Sequence, residues 1–105
     1  MPFPMRRSFW TYDTPDSILR GRHAHYQTQQ VLVAAVGRII VTVEHADRRI
    51  STFWLEDPAV GLYLPPNVWR TMQYAPLTLQ IVVASTLYEE ADYIRDYKQF
   101  RQVWG

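Results

Sequence analysis

The stretch from Arg20 to Gly37 reads RGRHAHYQTQQVLVAAVG, and the fold prediction starts from it. Residues 31–36 form an uninterrupted run of β-branched or small apolar side chains that ends at a glycine, which predicts a buried strand. His23 and His25 precede this run. If both lie on the strand that leads into it, their side chains share one face, about 6.6 Å apart along the strand. We therefore expect the chemistry of this protein at the histidine pair.

The composition indicates a globular protein and excludes several functional classes. Apolar residues make up 48% and charged residues 20% of 105 residues, and the net charge of +1 gives no reason to expect nucleic-acid or membrane binding. With no cysteine, disulfides, thiolate metal sites and cysteine nucleophiles are excluded. No apolar run approaches the ~20 residues of a membrane span, and residues 1–10 lack the apolar core of a signal peptide. We expect a single domain, residues 1–105, in the cytoplasm.

Short strands separated by turns account for most of the chain. We predict strands at residues 6–12, 18–26, 29–36, 39–44, 49–54, 60–64, 68–74 and 77–85, with a bulge at Gly21 inside the second of them. Between residues 88 and 103, acidic residues come first, basic residues follow, and apolar residues recur at helical spacing. This pattern predicts a C-terminal helix or a pair of helical turns. The whole pattern predicts an all-β sandwich or barrel with one short C-terminal helical segment.

The spacing of the residues around the histidine pair resembles the first sequence motif of the cupins. His23 and His25 are followed by Gln30, where a glutamate ligand usually stands, and then by Gly37. The alternative is that the histidines only satisfy hydrogen bonds in the core. This alternative would be favoured for a single histidine, but two histidines on one face favour a function. The spacing therefore favours a functional site.

The segment GLYLPPNVWR, residues 61–70, resembles the second cupin motif. Asn67 replaces a glycine of that motif and tolerates the left-handed backbone conformation. Arg70 stands at the position of a third histidine, and a guanidinium keeps its charge and repels cations. We therefore expect neither a metal nor another cofactor. The two motifs together imply a cupin-type jelly-roll barrel whose pocket opens among these residues.

Four segments together are similar to those of one family. They are MPFPMRRSFWTYDTP at residues 1–15, RGRHAH at 20–25, GLYLPPNVWR at 61–70 and YEEADYIRDY at 88–97. They resemble the nucleotide-sugar 3,4-ketoisomerases, metal-free jelly-roll cupins, usually dimeric, that act on dTDP-4-keto-6-deoxyglucose in deoxysugar biosynthesis. The resemblance implies that His23 and His25 are the catalytic pair, that the ligand is a dTDP-linked keto sugar, and that the protein is a homodimer.

Two features depart from the pattern of this family. Its members carry a lysine after the second histidine, where this chain has Tyr26. They also carry an additional N-terminal strand ahead of the Pro-Phe segment with which this sequence begins. In the family, that strand helps to build the dimer and the nucleotide end of the pocket. We expect the activity to depend on that strand more than the fold does.

The residues suit this chemistry on independent grounds. Moving a carbonyl from C4 to C3 of a hexose removes a proton from C3 and delivers one to C4 through an enediol. Histidine titrates near neutrality and can act as base and then as acid. Arg20 and Arg70 could bind a diphosphate or polarise sugar oxygens. The alternative role of the two arginines is a surface ion pair. Gln30 is also predicted to bind substrate. Tyr12, Trp69 and Tyr74 could line the pocket, with packing in the barrel as the alternative role of each.

Two alternative functions remain open. One is a non-catalytic cupin that binds a sugar nucleotide or another small molecule. The other is a sugar-nucleotide epimerase, which typically pairs a histidine with a tyrosine, so the His-x-His pair argues against it. Turnover of a dTDP-4-keto sugar distinguishes an enzyme from a binding protein, and the position of the product's carbonyl distinguishes an isomerase from an epimerase.

Overall fold

Two antiparallel sheets face each other in the computed structural model, which describes residues 1–12 and 20–104. One sheet has the strand order β1-β8-β3-β6 and the other β5-β4-β7-β2-β9. The elements are β1 (Arg7–Tyr12), β2 (Arg20–His25), β3 (Gln30–Val36), β4 (Ile39–Glu44), β5 (Ile50–Leu55), β6 (Gly61–Leu64), β7 (Trp69–Tyr74), β8 (Leu79–Ala84), β9 (Tyr93–Ile94) and the helix α1 (Tyr97–Trp104). The predicted cupin-type jelly roll is confirmed.

The first eight strands lie where the sequence predicts them, within about two residues at each end wherever the prediction falls on described residues. The predicted turn at residues 13–17, and the predicted start of the second strand at residues 18 and 19, lie outside the described residues. The predicted bulge is confirmed, because the register of β2 against β7 shifts between Arg20 and His23. Such a shift changes the direction of the following side chains relative to the neighbouring strand.

The predicted short C-terminal helical segment is confirmed, but a continuous helix over residues 88–103, one of the two forms predicted for it, is wrong. Glu90–Asp92 form one turn of 3-10 helix, Tyr93–Ile94 form the short strand β9, and α1 begins only at Tyr97. The backbone of β9 pairs with the edge of β2, and this tertiary contact overrides the helical spacing of the apolar residues. Tyrosine and isoleucine also suit a strand. Among the described residues, no helix is long and apolar enough to cross a membrane.

The main core fills the space between the two sheets and follows from the alternation of side chains along the strands. Every second residue of β3 and β4 is buried, while the residues between them are partly exposed. The buried apolar members of this core are Leu32, Ala34, Ile39, Val41, Val43, Leu55, Leu64, Val68, Met72, Tyr74 and Val82. The inner face of the barrel is therefore apolar except where polar side chains replace members of this pattern.

A second, smaller core lies on the outer side of β2. Ala24, Ile94 and Phe100 are fully buried there, and Trp69 packs against them. Arg101 donates a hydrogen bond from Nη1 to Glu44 Oε2 at 2.7 Å, which ties α1 to β4. Helix α1 thus covers the face of β2 that carries Ala24, and the residues on either side of Ala24 point into the barrel.

Four of the described residues have a positive φ, and two of them, Gly37 and Asn67, belong to the two motifs. Gly37, with φ 85°, connects β3 to β4, and a Cβ atom there would lie 2.4 Å from Thr78 Oγ1, so only glycine fits. Asn67 has φ 72°, which confirms that it replaces the glycine of the second motif. Its backbone N–H donates to the carbonyl of His25 at 3.1 Å. The turn before β7 is therefore attached directly to the strand that carries the histidines.

Candidate active site

The two histidines of β2 lie side by side inside the barrel. Their ring centroids are 4.8 Å apart and the rings are perpendicular. His25 is completely buried and His23 is partly buried. The expectation that both side chains share one face of a strand is confirmed, and their rings approach each other more closely than the spacing along the strand.

Tyr93 completes this group and was not among the site residues predicted from the sequence. It is the partner of His25 in the pairing of β2 with β9, so its side chain emerges on the same face. Its ring centroid lies 4.4 Å from that of His25 and 5.2 Å from that of His23. The sequence prediction placed Tyr93 on a helix and therefore gave no reason to bring it to the histidines. The one signal available was its position within the DYIRDY segment.

A cavity of about 130 Å³ opens beside the histidines, between the two sheets. It is lined by Phe9, Thr11, His23, Gln30, Leu32, Met72, Tyr74, Gln80, Val82 and Tyr93. The hydroxyl of Tyr74 donates to Oε1 of Gln80 at 2.8 Å. The predicted residues Gln30 and Tyr74 therefore do lie at the cavity. Its volume is below the ~300–1,000 Å³ of pockets that enclose a whole drug-sized ligand, so it suits part of a ligand, such as a sugar ring.

Arg70 is a completely buried cation beside the histidines. It lies directly opposite His23 in the pairing of β7 with β2. Its Nη1 donates to Oε1 of Gln30 at 2.5 Å, while Nε and Nη2 have no hydrogen-bond partner among the described residues. Burial lowers the pKa of Arg70 to about 10, so the guanidinium remains charged at neutral pH. A buried charge of this kind favours an anionic or strongly polar oxygen as its ligand.

His25 is held by a carboxylate from the C-terminal segment. Its Nδ1 lies 3.1 Å from Oδ2 of Asp92. Burial and the nearby charge of Arg70 lower the pKa of His25 to about 4, although the hydrogen bond to Asp92 acts in the opposite direction. His25 is therefore neutral at pH 7. Its Nε2 is buried and has no hydrogen-bond partner within residues 1–12 and 20–104.

Comparison with known proteins identifies the family. The family model "FdtA: WxcM-like, C-terminal" matches residues 1–105. The chain belongs to this family. A curated TDP-4-oxo-6-deoxy-alpha-D-glucose-3,4-oxoisomerase from Aneurinibacillus thermoaerophilus is 38% identical over 103 residues, which are 97% of this chain and 73% of that protein.

Solved structures of similar proteins agree with this family. The QdtA sugar 3,4-ketoisomerase from Thermoanaerobacterium thermosaccharolyticum, in complex with TDP, matches with a TM-score of 0.94 at 33% identity, over 99% of this chain and 76% of that chain. A histidine-to-asparagine variant of QdtA was solved with TDP-4-keto-6-deoxyglucose. A 3,4-ketoisomerase from Helicobacter canadensis matches with a TM-score of 0.93 at 34% identity, over 98% and 77%. These relatives are isomerases, as the sequence predicted.

A more distant likeness concerns the fold alone. The 4-keto-6-deoxy sugar epimerase NovW from Streptomyces spheroides matches with a TM-score of 0.74 at 13% identity, over 88% of this chain and 51% of that chain. The same barrel thus occurs in proteins that differ in sequence, and the site residues have to decide between reactions.

Arg70 and His25 are buried behind the residues that line the cavity and are not themselves among them. Two other predicted substrate-binding residues of this WxcM-like chain, Tyr12 and Trp69, face away from the interior of the barrel. Tyr12 is exposed on the outer face of β1, because Thr11 before it faces inward. Trp69 packs on the outer side of β7, with its ring centroid 5.5 Å from that of Tyr97 and 5.9 Å from that of Phe100. Side chains alternate between the two faces of a strand, and both residues occupy positions whose side chains point away from the interior of the barrel. The side chain of Arg20 lies outside the described part of the structure.

The residues at the site do not fit a divalent metal ion. In the part of the chain that the structure describes, no group of three or more His, Cys, Asp or Glu side chains could hold one. Gln30 directs its carbonyl oxygen to Arg70, and that guanidinium occupies the place of a third histidine. A cation bound to His23 and His25 would therefore face a fixed positive charge.

We predict that lowering the pH from about 7 to about 4.5 destabilises the parent protein more than a His25→Asn variant. The folded-state pKa of His25, about 4, lies below its ordinary value of 6.5, so the unfolded chain binds a proton that the folded protein excludes. Stability from this group is complete above pH 6.5 and falls as the pH drops towards 4, by as much as about 3 kcal/mol. Urea titrations of both proteins at the two pH values measure the difference.

Other groups contribute to acid sensitivity in both proteins, so the comparison isolates His25. A His45→Asn variant is the matched control, because His45 lies at a turn between β4 and β5, away from His25 and Arg70. It should lose stability with falling pH as the parent does. An equal pH dependence in the parent and in His25→Asn would contradict a buried, neutral His25.

Proposed function

We propose that the protein is a TDP-sugar 3,4-ketoisomerase that moves the carbonyl of a TDP-4-keto-6-deoxyhexose from C4 to C3. The observation that carries the proposal is the pair His23 and His25, 4.8 Å apart between ring centroids inside the barrel and next to Tyr93 and Arg70. The ketoisomerase relatives of the same family, solved with TDP or with the keto sugar, support the choice of substrate.

The proposed reaction neither adds nor removes atoms. One imidazole takes the proton from C3 of the 4-keto sugar, which gives an enediol, and a proton is then delivered to C4. A second group takes the proton of the C3 hydroxyl while the C4 oxygen gains one. The other histidine and Tyr93 are both close enough to the first imidazole to serve the oxygens of neighbouring carbons. The neutral state of His25 at pH 7 suits a base.

In the proposed reaction, Arg70 interacts with the sugar of the substrate rather than with its diphosphate. Its guanidinium is completely buried and directly opposite His23, at the deep part of the barrel. A diphosphate carries a bulky nucleoside and needs a more open place than this. The negative charge of an enediolate, by contrast, develops next to the base that removes the carbon proton, where a fixed buried cation is most effective.

We predict that His23→Asn and His25→Asn each slow turnover by ~10²–10⁴-fold, the usual contribution of general acid–base catalysis. Asparagine remains polar but does not titrate near pH 7, so folding and TDP binding should stay close to the parent. The measurement is deuterium uptake at C3 of TDP-4-keto-6-deoxyglucose in D₂O, followed by NMR together with product formation.

The matched control for these variants is His45→Asn, which removes a histidine that lies at a turn away from the cavity. Its exchange rate should equal that of the parent. If either site variant exchanges the C3 proton at the parental rate and forms product normally, that histidine has no catalytic role.

We predict that Arg70→Met lowers kcat by ~10²–10³-fold with little change in KM, because removal of one donor to a developing oxyanion typically has this effect. Methionine fills a similar volume without the charge. Steady-state kinetics and TDP binding by calorimetry provide the measurement. Arg38→Met is the control, since Arg38 is exposed and its guanidinium lies over Trp54, away from the histidines.

The opposite kinetic pattern would contradict this role. A raised KM with unchanged kcat in Arg70→Met means that Arg70 binds the ground state, as a diphosphate anchor would. The control variant should retain both constants.

One contact in the site also suits a sugar-nucleotide epimerase. Tyr93 lies against both histidines, and a histidine paired with a tyrosine is the acid–base arrangement of sugar-nucleotide epimerases. An epimerase would leave the carbonyl at C4, whereas the proposed isomerase moves it to C3, and product NMR distinguishes them. A protein that binds TDP but never exchanges the C3 proton is the non-catalytic cupin.

We also propose that two copies of the chain associate through the outer face of the β1-β8-β3-β6 sheet. Trp10 and Tyr12 of β1 are exposed there, and Ile81 of the neighbouring strand β8 is 38% exposed. Strand β1 is an edge strand. An apolar face next to an open edge favours association with an identical face about a two-fold axis.

We predict a dimer by light scattering at about tens of micromolar, and a shift to monomer in Ile81→Lys, because a charge would be buried at the centre of the contact. Ile50→Lys is the control, since Ile50 is exposed on β5 in the opposite sheet. A monomeric parent at this concentration, or a dimer that survives Ile81→Lys, would contradict the proposed interface.

A further inference from the structure

The carboxylate of Asp92 makes four hydrogen bonds that join the C-terminal segment to the end of the histidine strand and to the turn after it. Its Oδ2 lies 3.1 Å from Nδ1 of His25, and it accepts bonds from the backbone N–H of Thr28 at 3.1 Å and from the Thr28 hydroxyl at 2.5 Å. Its Oδ1 accepts from the backbone N–H of Gln27 at 2.8 Å. The carboxylate is thus fixed in place by the turn between β2 and β3, independently of the histidine.

This contact determines which nitrogen of His25 carries the proton. An ionised carboxylate can only accept hydrogen bonds, so Nδ1 must be the donor in neutral His25. Although burial raises the pKa of Asp92, its hydrogen bonds to Thr28, Gln27 and His25 hold that pKa below its ordinary value, so the carboxylate is ionised at pH 7. The lone pair of His25 is then on Nε2, the buried atom without a hydrogen-bond partner in the described part of the chain.

The same carboxylate balances the charge that His25 acquires when it takes a proton. The surroundings of His25 otherwise oppose an imidazolium, because the ring is completely buried and the cations Arg70 and, more weakly, Arg7 act on it. Asp92 is the group whose hydrogen bond and charge favour the protonated ring. A buried cation that forms during a reaction is strongly stabilised by a fixed carboxylate at this distance.

We propose that Asp92 is a positioning residue that fixes His25 in the Nδ1–H tautomer, presents Nε2 as the proton-accepting atom and stabilises the imidazolium. This inference rests on the proposed function, because it gives His25 the part of a base in that reaction. Asp92 acts through His25 and does not itself contact the substrate.

The test combines kinetics with a measurement that needs no activity. Asp92→Asn removes the charge with almost no change in shape. We expect kcat to fall roughly 10²-fold, the rate equivalent of one charge-assisted hydrogen bond, with KM and TDP binding nearly unchanged. In the parent protein without substrate, the ¹⁵N NMR signals of the His25 ring should show the proton on Nδ1 and an unprotonated Nε2.

Two further variants separate a positioning role from a structural one. Thr86→Val removes the hydroxyl that lies 2.7 Å from the Thr28 hydroxyl but leaves all four hydrogen bonds of the Asp92 carboxylate in place, so it should retain kcat within a few fold. Asp96→Asn neutralises a carboxylate of the same segment that accepts a bond from the backbone N–H of Lys98, and it should behave as the parent.

The outcomes decide between the alternatives. A parent with the proton on Nε2, an Asp92→Asn variant with parental kcat, or a Thr86→Val variant as slow as Asp92→Asn would each overturn the inference. If Asp92→Asn does not fold, the tautomer of the parent decides. A parent without ketoisomerase activity but with an Nδ1–H tautomer refutes the proposed function and leaves the His25–Asp92 geometry correct.

Discussion

The pairing of β2 with β7 on one side and β9 on the other is the constraint on which the rest of the site depends. Because side chains alternate along a strand, burying Ala24 under α1 on the outer face obliges His23 and His25 to point into the barrel. The small core around Phe100 therefore sets the direction of the histidine pair, although none of its buried members lines the cavity. An apolar contact outside the barrel and a polar site inside it are two consequences of the same register.

The interior of the barrel combines a fixed cation, Arg70, with a buried histidine, His25, that is neutral at pH 7. Arg70 is completely buried, and its hydrogen bond to an amide oxygen of Gln30 leaves its charge without compensation among the described residues. Its field, together with burial, lowers the pKa of His25. The arrangement disfavours a bound metal ion and favours a ligand that develops negative charge, as the enediolate of the proposed reaction does.

The C-terminal segment has a greater part in the site than its sequence suggests. Asp92 fixes the ring of His25, and Tyr93 lies against both histidines. The guanidinium of Arg95 lies over the ring of Tyr93, 4.2 Å from its centroid. Helix α1 attaches the segment to the barrel through the hydrogen bond from Arg101 to Glu44. A segment that reads as a simple helix thus supplies two of the groups closest to the proposed base. In this WxcM-like chain, the barrel and the segment that closes its edge form the site together.

The sequence by itself determined the all-β class, most strand positions and the histidine pair. Strand periodicity is local, so alternation and turn residues such as Gly37 and Asn67 are readable without the fold. Gln30, which the first motif singled out, lies at the cavity, and Arg70 of the second motif donates a hydrogen bond to it. These features depend on spacing within one or two strands, which the chain order preserves.

Only the tertiary structure decided which aromatic rings point into the barrel and how the C-terminal segment contributes to the site. Tyr12 and Trp69 occupy the strand positions whose side chains point out of the barrel. A shift of one residue in register would turn each ring to the opposite face, so the sequence pattern alone does not decide its direction. Asp92 and Tyr93 reach His25 from 67 and 68 residues away in the chain, through a pairing of β9 with β2. Helical spacing in the sequence favoured a helix there, and the unpaired edge of β2 stabilised a strand instead.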